Sequence, residues 1–248
     1  DEAENVLTGY DAFWTYSLCH LEFSYHMFDN EGARPEAGLF APCTMYMYIK
    51  KGSNKLVMGM FRLHNWSDAL EITEKKRISL VEKLDKEIPE ILTTFGMTAT
   101  ANINPLTLPA SEAKQAEKAI EVKLEVKAEE KIAEIPVPEN ALAVMYTLKG
   151  DIENAYNTII EEELKSIDYR VTDPHHRVND QYKNKYGSTV LDTLSFLSVA
   201  NDKVILPLLN IDPRIAATAP FNMLIYKKLD ENVTHTGHIM PTAFLDMI

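Results

Sequence analysis

The chain has 248 residues, 46% of them hydrophobic and 25% charged, enough for an ordinary core in one large or two medium domains. Its formal net charge is −12, from 25 basic and 37 acidic residues, and no basic block interleaves with aromatics, which argues against a nucleic-acid partner. No apolar run approaches the roughly 20 residues of a transmembrane segment, and Asp1-Glu2-Ala3-Glu4 shows no signal-peptide pattern.

In chain order, the first element expected is a helix over residues 10–27. It leads through Pro35-Glu36-Ala37-Gly38-Leu39-Phe40-Ala41-Pro42 into a strand over 43–49. Gly52-Ser53 suits the centre of a two-residue type II′ turn, so a hairpin is expected. That register sets Met47 opposite Met58 and Met45 opposite Met60. Side chains alternate between faces along strands. Met45, Met47, Met58 and Met60 therefore share one face with Cys43, and Thr44, Tyr46, Tyr48, Val57, Gly59 and Phe61 take the other. Asn65-Trp66 then runs into a long amphipathic helix carrying Leu80, Val81, Leu84, Ile88, Ile91 and Leu92. Pro89 should kink or divide it, and Gly96 should close it.

Residues 97–136 read as a linker. Within it, 102–109 is polar and proline-punctuated, and 111–118 is rich in Ala, Glu and Lys. Residues 120–127 alternate strictly, as in a half-buried strand. A strand over 141–148 follows, and Gly150-Asp151 ends it, with Asp151 as the N-cap of a helix reaching Lys165. A short strand over 167–172 stops at Pro174. Ser188 should cap a second helix carrying Val190, Leu191, Leu194 and Leu197, followed by a helical turn over 203–209. Residues 221–228 and 233–240 form a second expected hairpin.

The two hairpin regions look like copies of one another. Residues 9–70 align without a gap on 187–248, with Gly9/Gly187, Thr15/Thr193, Pro35/Pro213, Ala41-Pro42/Ala219-Pro220, Gly59/Gly237 and Asp68/Asp246 in register. Such a repeat sets the architecture. The expected fold class is α+β, with two repeats of a small β-α-β-α-β-β sheet covered by helices and the first repeat incomplete at its N-terminus. The expected divisions are 1–96, the linker 97–136, and 137–248, the last without its final helix. The missing β-α-β is expected to come from residues upstream of Asp1, then from the linker strand, then from another subunit.

The segment from Pro-Glu-Ala-Gly-Leu-Phe-Ala-Pro-Cys (35–43) through the aromatic hairpin and Asn65-Trp66 resembles the bacterial domain-of-unknown-function family 302, especially tandem, exported members. The resemblance covers 9–96 and extends over 139–248, where Phe221 replaces the cysteine. In the tandem proteins it resembles, a copy like 137–248 would come first. The resemblance implies an α/β fold and a periplasmic or extracellular address. It implies no established reaction.

Several residues are candidates for chemistry. The methionine face, with Met45, Met47, Met58 and Met60, offers soft donors suited to copper(I); with His238 on the equivalent face of the second copy, it also raises haem ligation. The alternative is a core face filled by adaptable methionines. Cys19, on the expected first helix, and Cys43 could form a disulfide if their Cα atoms lie within about 7 Å, or remain free thiols. His235 and His238 stand three apart on a strand and point to opposite faces. His175-His176 fall in an expected loop, and Glu161-Glu162-Glu163 read as a solvated helix face. Asp11, Asp68 and Asp192 are acids without a visible base. Glycine-rich phosphate loops, GxSxG, HExxH and CxxC are all absent from the sequence.

These features point to a non-enzymatic, extracytoplasmic binding or assembly module that associates with itself or with another protein chain. The unpaired sheet edge of the first copy would be the place of association. A copper(I) or haem-binding protein is the alternative, and an enzyme of unstated reaction the third.

Overall fold

Alternating methionine and tyrosine along residues 43–50 builds the strand from which the first sheet grows. The computed structural model of the chain describes residues 7–30, 34–97, 141–173, 177–187 and 190–240. Strands β1 (Tyr10–Leu18), β2 (Cys43–Lys50) and β3 (Leu56–Met60) form an antiparallel sheet, here sheet A, in the order β1-β2-β3. Helix α1 (Leu21–Phe28) and a 3-10 helix, η1 (Pro35–Phe40), join β1 to β2. After β3 come α2 (Leu63–Ala69) and α3 (Lys75–Thr94).

Sheet B has five antiparallel strands in the order β4-β8-β7-β6-β5. These are β4 (Ala143–Lys149), β5 (Arg170–Asp173), β6 (Leu191–Ala200), β7 (Phe221–Lys228) and β8 (Val233–Ile239). The helices between them are α4 (Glu153–Ser166), α5 (Val178–Tyr186), α6 (Asp202–Ile211) and a second 3-10 helix, η2 (Pro213–Thr218). The fold is α+β, with helices packed on antiparallel sheets.

Two expected helices are strands. Residues 10–18 form β1, and the helix begins only at Leu21, where His20 Nδ1 accepts the Phe23 N–H at 3.2 Å. The helix expected after Ser188 is β6. Leu191, Leu194 and Leu197 have helix-like spacing, but nearly every residue of β6 is buried, so both of its faces carry apolar residues. A strand covered on both sides loses the polar alternation that would mark it as a strand. The repeating order is therefore β-α-β-α-β-α-β-β for 143–239. Helix α5, for which the sequence reading expected no element, is polar except for Val178, Tyr182 and Tyr186, which meet the core. Helix α4 starts at Glu153 with Ile152 at the cap position, not Asp151. Helix α3 continues through Pro89 without division, and Gly96 follows its C-cap in the left-handed region (φ +76°). The linker elements at 102–109, 111–118 and 120–127, and His175-His176, lie outside the described residues.

The stretches β1-α1-η1-β2-β3 and β6-α6-η2-β7-β8 match in kind and order, and both enter their hairpins through cis Ala-Pro bonds, Ala41-Pro42 and Ala219-Pro220. Strand pairing corrects the gapless alignment along the whole of β1, which is shifted by three residues against β6, so Thr15 falls on Phe196 and not on Thr193. It sets Trp14 on Ser195, because Trp14 pairs with Met47 and Ser195 with Ile225, whereas the alignment sets Trp14 on Asp192.

Each stretch covers the other's sheet. Helix η1 packs on β7 and β8, and η2 packs on β2 and β3. The larger core joins Phe23, Phe28, Leu39, Leu63, Val81 and Leu84 to Tyr182, Leu194, Phe196 and Leu224. The smaller one joins Tyr46 and Tyr48 to Ile205, Leu209, Ile215 and Ala216. Asp29, at the end of α1, fastens the start of β6, because its Oδ1 accepts the N–H groups of Val190 and Leu191, each at 2.8 Å.

Candidate functional site

The β2–β3 hairpin has the register expected from sequence: Met45 pairs with Met60, Met47 with Met58, Tyr46 with Gly59 and Tyr48 with Val57. The turn differs from expectation. Ser53 N–H bonds Lys50 O at 2.9 Å, and Gly52 occupies the position with positive φ (+73°), which fits a type II rather than a type II′ turn. Asp11 Oδ2 accepts the Gly52 N–H at 2.9 Å, tying the turn to β1. Gly59 is required by close approach, since a Cβ there would collide with the Tyr46 ring.

One face of sheet A is closed. Tyr46 and Tyr48 stack with ring centroids 6.2 Å apart, Tyr10 and Phe13 pack beside Tyr48, and Tyr10 OH donates to Leu209 O at 2.9 Å. Burial raises the Tyr46 phenol to about 12 and raises those of Tyr10 and Tyr48. These phenols stay neutral at ordinary pH.

The other face is open. Across it run three-residue rungs, Tyr16–Met45–Met60 and Trp14–Met47–Met58, with Leu18–Cys43 beyond them. Trp14, Tyr16 and Leu18 are 43%, 46% and 39% exposed, whereas the residues that pair equivalently in sheet B, Ser195, Leu197 and Val199, are 0%, 0% and 4% exposed. The difference comes from α4. Its Glu153 accepts hydrogen bonds from Thr193 Oγ1 at 2.8 Å and Ser195 Oγ at 2.9 Å, locking the helix over that face of sheet B. Strand β5 lines the outer edge of β6, but among the described residues no strand lies beside the outer edge of β1.

Met45 is buried, while Met47, Met58 and Met60 are half-buried. His238 lies on sheet B, paired with Met223, and its Nδ1 lies 3.1 Å from Ile239 O. It therefore belongs to a different donor set from the four methionines. His235 stacks on Tyr226 and reaches Glu231 at 3.2 Å. Among the described residues, no group of three or more His, Cys, Asp or Glu gathers as metal ligands.

Cys19 is not on a helix. It follows β1, one residue beyond Leu18, the cross-strand partner of Cys43. Both cysteines are free. Cys19 is exposed as a residue, yet its S–H donates to Ser24 Oγ at 3.6 Å, and desolvation raises its pKa. Burial, followed by the influence of Cys19 and Asp85, pushes the Cys43 thiol up to about 12. Both sulfurs are poor thiolates, so neither is set up as a nucleophile.

Sequence reasoning missed two polar clusters because their members are scattered along the chain. Asp85 accepts from Leu63 N–H at 2.7 Å, His64 N–H at 3.2 Å and the His64 ring at 2.8 Å, and so serves as the cap of α2. Arg177 links Glu153 at 3.2 Å to Asp192 O at 2.5 Å, and Lys227 Nζ meets Asp192 Oδ2 at 2.6 Å. The adjoining cleft of about 290 Å³ is lined by Arg177, Asp180, Lys183 and Asp192, whose opposite charges leave it without a dominant sign. Asp192 thus meets a base, but one that pairs with it in an ion pair. Asp11 serves the hairpin turn, and Asp68 is exposed. Glu162 and Glu163 are exposed on α4, as expected.

No protein-family model and no curated protein matches the chain. Among solved structures it is similar to an uncharacterized conserved DUF302 protein from Bacillus stearothermophilus. The identity is 18%, the TM-score 0.38, and the match covers 43% of this chain and 79% of that one.

Proposed function

We propose that the chain is a non-enzymatic binding or assembly module made of two family-302-like units, acting outside the cytoplasm. Its partner is an extended segment of another protein chain, which pairs antiparallel with β1. The observation that carries this reading is the exposure of Trp14, Tyr16 and Leu18 where the equivalent residues of sheet B are sealed. Strand β5 gives the pattern for the pairing, since it adds antiparallel to β6 through Val171↔Val199 and Arg170↔Ala200. An added strand gains main-chain hydrogen bonds and buries alternate side chains, and a long apolar edge left bare is a liability that proteins normally cover. The sequence resemblance at residues 35–48 supports the family and the extracytoplasmic address.

The test places a photo-reactive phenylalanine analogue at Tyr16 in cells that make the protein. The control carries it at Lys86, exposed on α3. Irradiation is expected to give a covalent protein adduct at Tyr16 and none at Lys86. The adduct mass would tell a second copy from a different chain. Absence of an adduct at Tyr16 would sink the proposal.

A further inference from the structure

The methionines of the open face are not explained by packing alone. In sheet B, the positions equivalent to Met45, Met47, Met58 and Met60 hold Met223, Ile225, Thr236 and His238, so the fold does not require methionine at the last three. In sheet A, Met47, Met58 and Met60 are half-buried, where leucine would resist oxidation and pack as well. Among the described strand residues of this face, the Tyr16 hydroxyl is the one hard donor. These residues are Ala12, Trp14, Tyr16, Leu18, Cys43, Ile49 and Leu56 besides the methionines, so they present no carboxylate or imidazole.

We infer that the paired thioethers of Met45/Met60 and Met47/Met58 form a binding site for a soft monovalent cation, copper(I). Directly opposed side chains on an antiparallel pair start about 5 Å apart at Cβ, and diagonal neighbours about 7–8 Å apart. Flexible methionine side chains close such gaps around one ion. Thioether sulfur selects soft copper(I) over Mg²⁺, Ca²⁺ or Mn²⁺, which need oxygen ligands. Trp14 and Tyr16 end the same two rungs, and their ring faces attract a cation held beside them. Binding involves no bond cleavage and no electron transfer, since the ion enters and leaves as copper(I).

The experiment titrates the full chain with Ag(I), a redox-stable stand-in, and with Cu(I) in competition with a chromogenic chelator, while methionine methyl resonances are followed by NMR. One equivalent, beyond any metal taken up by the free thiols of Cys19 and Cys43, is expected to shift the methyls of Met47, Met58 and Met60. The Met47→Leu, Met58→Leu, Met60→Leu triple variant keeps the face apolar, and its circular dichroism should be unchanged. Its affinity should fall by more than about a hundredfold, beyond the effect of losing groups that only orient ligands, because three of the four donors are gone. A Cys19→Ser, Cys43→Ser variant should keep the equivalent that shifts the methionine methyls and lose only what the thiols bind. Binding beyond the thiols' share that survives the methionine changes, or methyl shifts that vanish with the thiols, would overturn the inference, as would no binding at all. The outcome is independent of strand pairing at β1, which the Tyr16 crosslink reads separately.

Discussion

Gly38 of η1 lies so close to Leu224 of β7 that a Cβ at Gly38 would come within 2.8 Å of Leu224 Cδ1 and 3.0 Å of Phe196 Cε1. Its counterpart in η2 is Ala216, fully buried in the core that holds Tyr46 and Tyr48. Leu224 is itself fully buried, so little room exists for it to move aside. Gly38→Val is therefore expected to cost about 1–3 kcal/mol through overpacking. Urea unfolding measures this, and an unchanged midpoint would show that the contact is looser than described.

Glu153 is a buried carboxylate shared by Thr193, Ser195 and Arg177. Glu153→Ala strands two buried hydroxyls, while Arg177, partly exposed, keeps Asp192 O, and should destabilise the fold by about 2–4 kcal/mol. Glu153→Gln keeps two acceptor lone pairs and should lie between the parent and the alanine variant. Equal stability of all three would mean that the network contributes nothing to seating α4 on β6.

Trp14→Ala and Tyr16→Ala should each change stability by no more than about 1 kcal/mol, as at other exposed sites. Leu197→Ala, at the position equivalent to Tyr16 but fully buried, should cost about 2–5 kcal/mol. Thermal unfolding of the three variants decides whether the two faces really differ in coverage. A large loss at Trp14 would mean that its face is already closed.

The structure shows which features were legible in the sequence. The β2–β3 register could be read because Met and Tyr alternate across a turn marked by Gly52, and one face is apolar in a different way from the other. Strand β6 could not, because burial on both faces removed its alternation and left leucines at a spacing that suits a helix. Helix α5 was hidden for the opposite reason, since only Val178, Asn179, Tyr182 and, in part, Tyr186 turn inward. The open face had a legible side-chain order, but its openness depends on α4 lying on one sheet and not the other. That is a tertiary fact. The clusters around Asp85 and Glu153 join residues far apart in sequence, and no local spacing announces them.

Alkaline pH should unfold the protein in a defined window. The Cys43 thiol rises from 9.0 to about 12 and the Tyr46 phenol from 10.0 to about 12. The folded chain thus holds protons that the unfolded chain releases. The stability these groups contribute is whole below pH 9 and is lost as pH rises towards 12. Unfolding midpoints across that range should fall, and less steeply in Cys43→Ser and Tyr46→Phe. Iodoacetamide should alkylate folded Cys43 slowly below pH 9, and rapid labelling would contradict its burial.

The exchange of η1 and η2 between the sheets has a consequence for cooperativity. Among the described residues, the tyrosine face of sheet A packs against α6 and η2, and the Leu194–Phe196–Leu224 side of sheet B against α1 and η1. Among the described residues, each of the two cores draws on both halves of the chain. The molecule should therefore melt as one thermodynamic unit, with calorimetric and van't Hoff enthalpies in agreement. A defect seeded in either sheet would be felt by both.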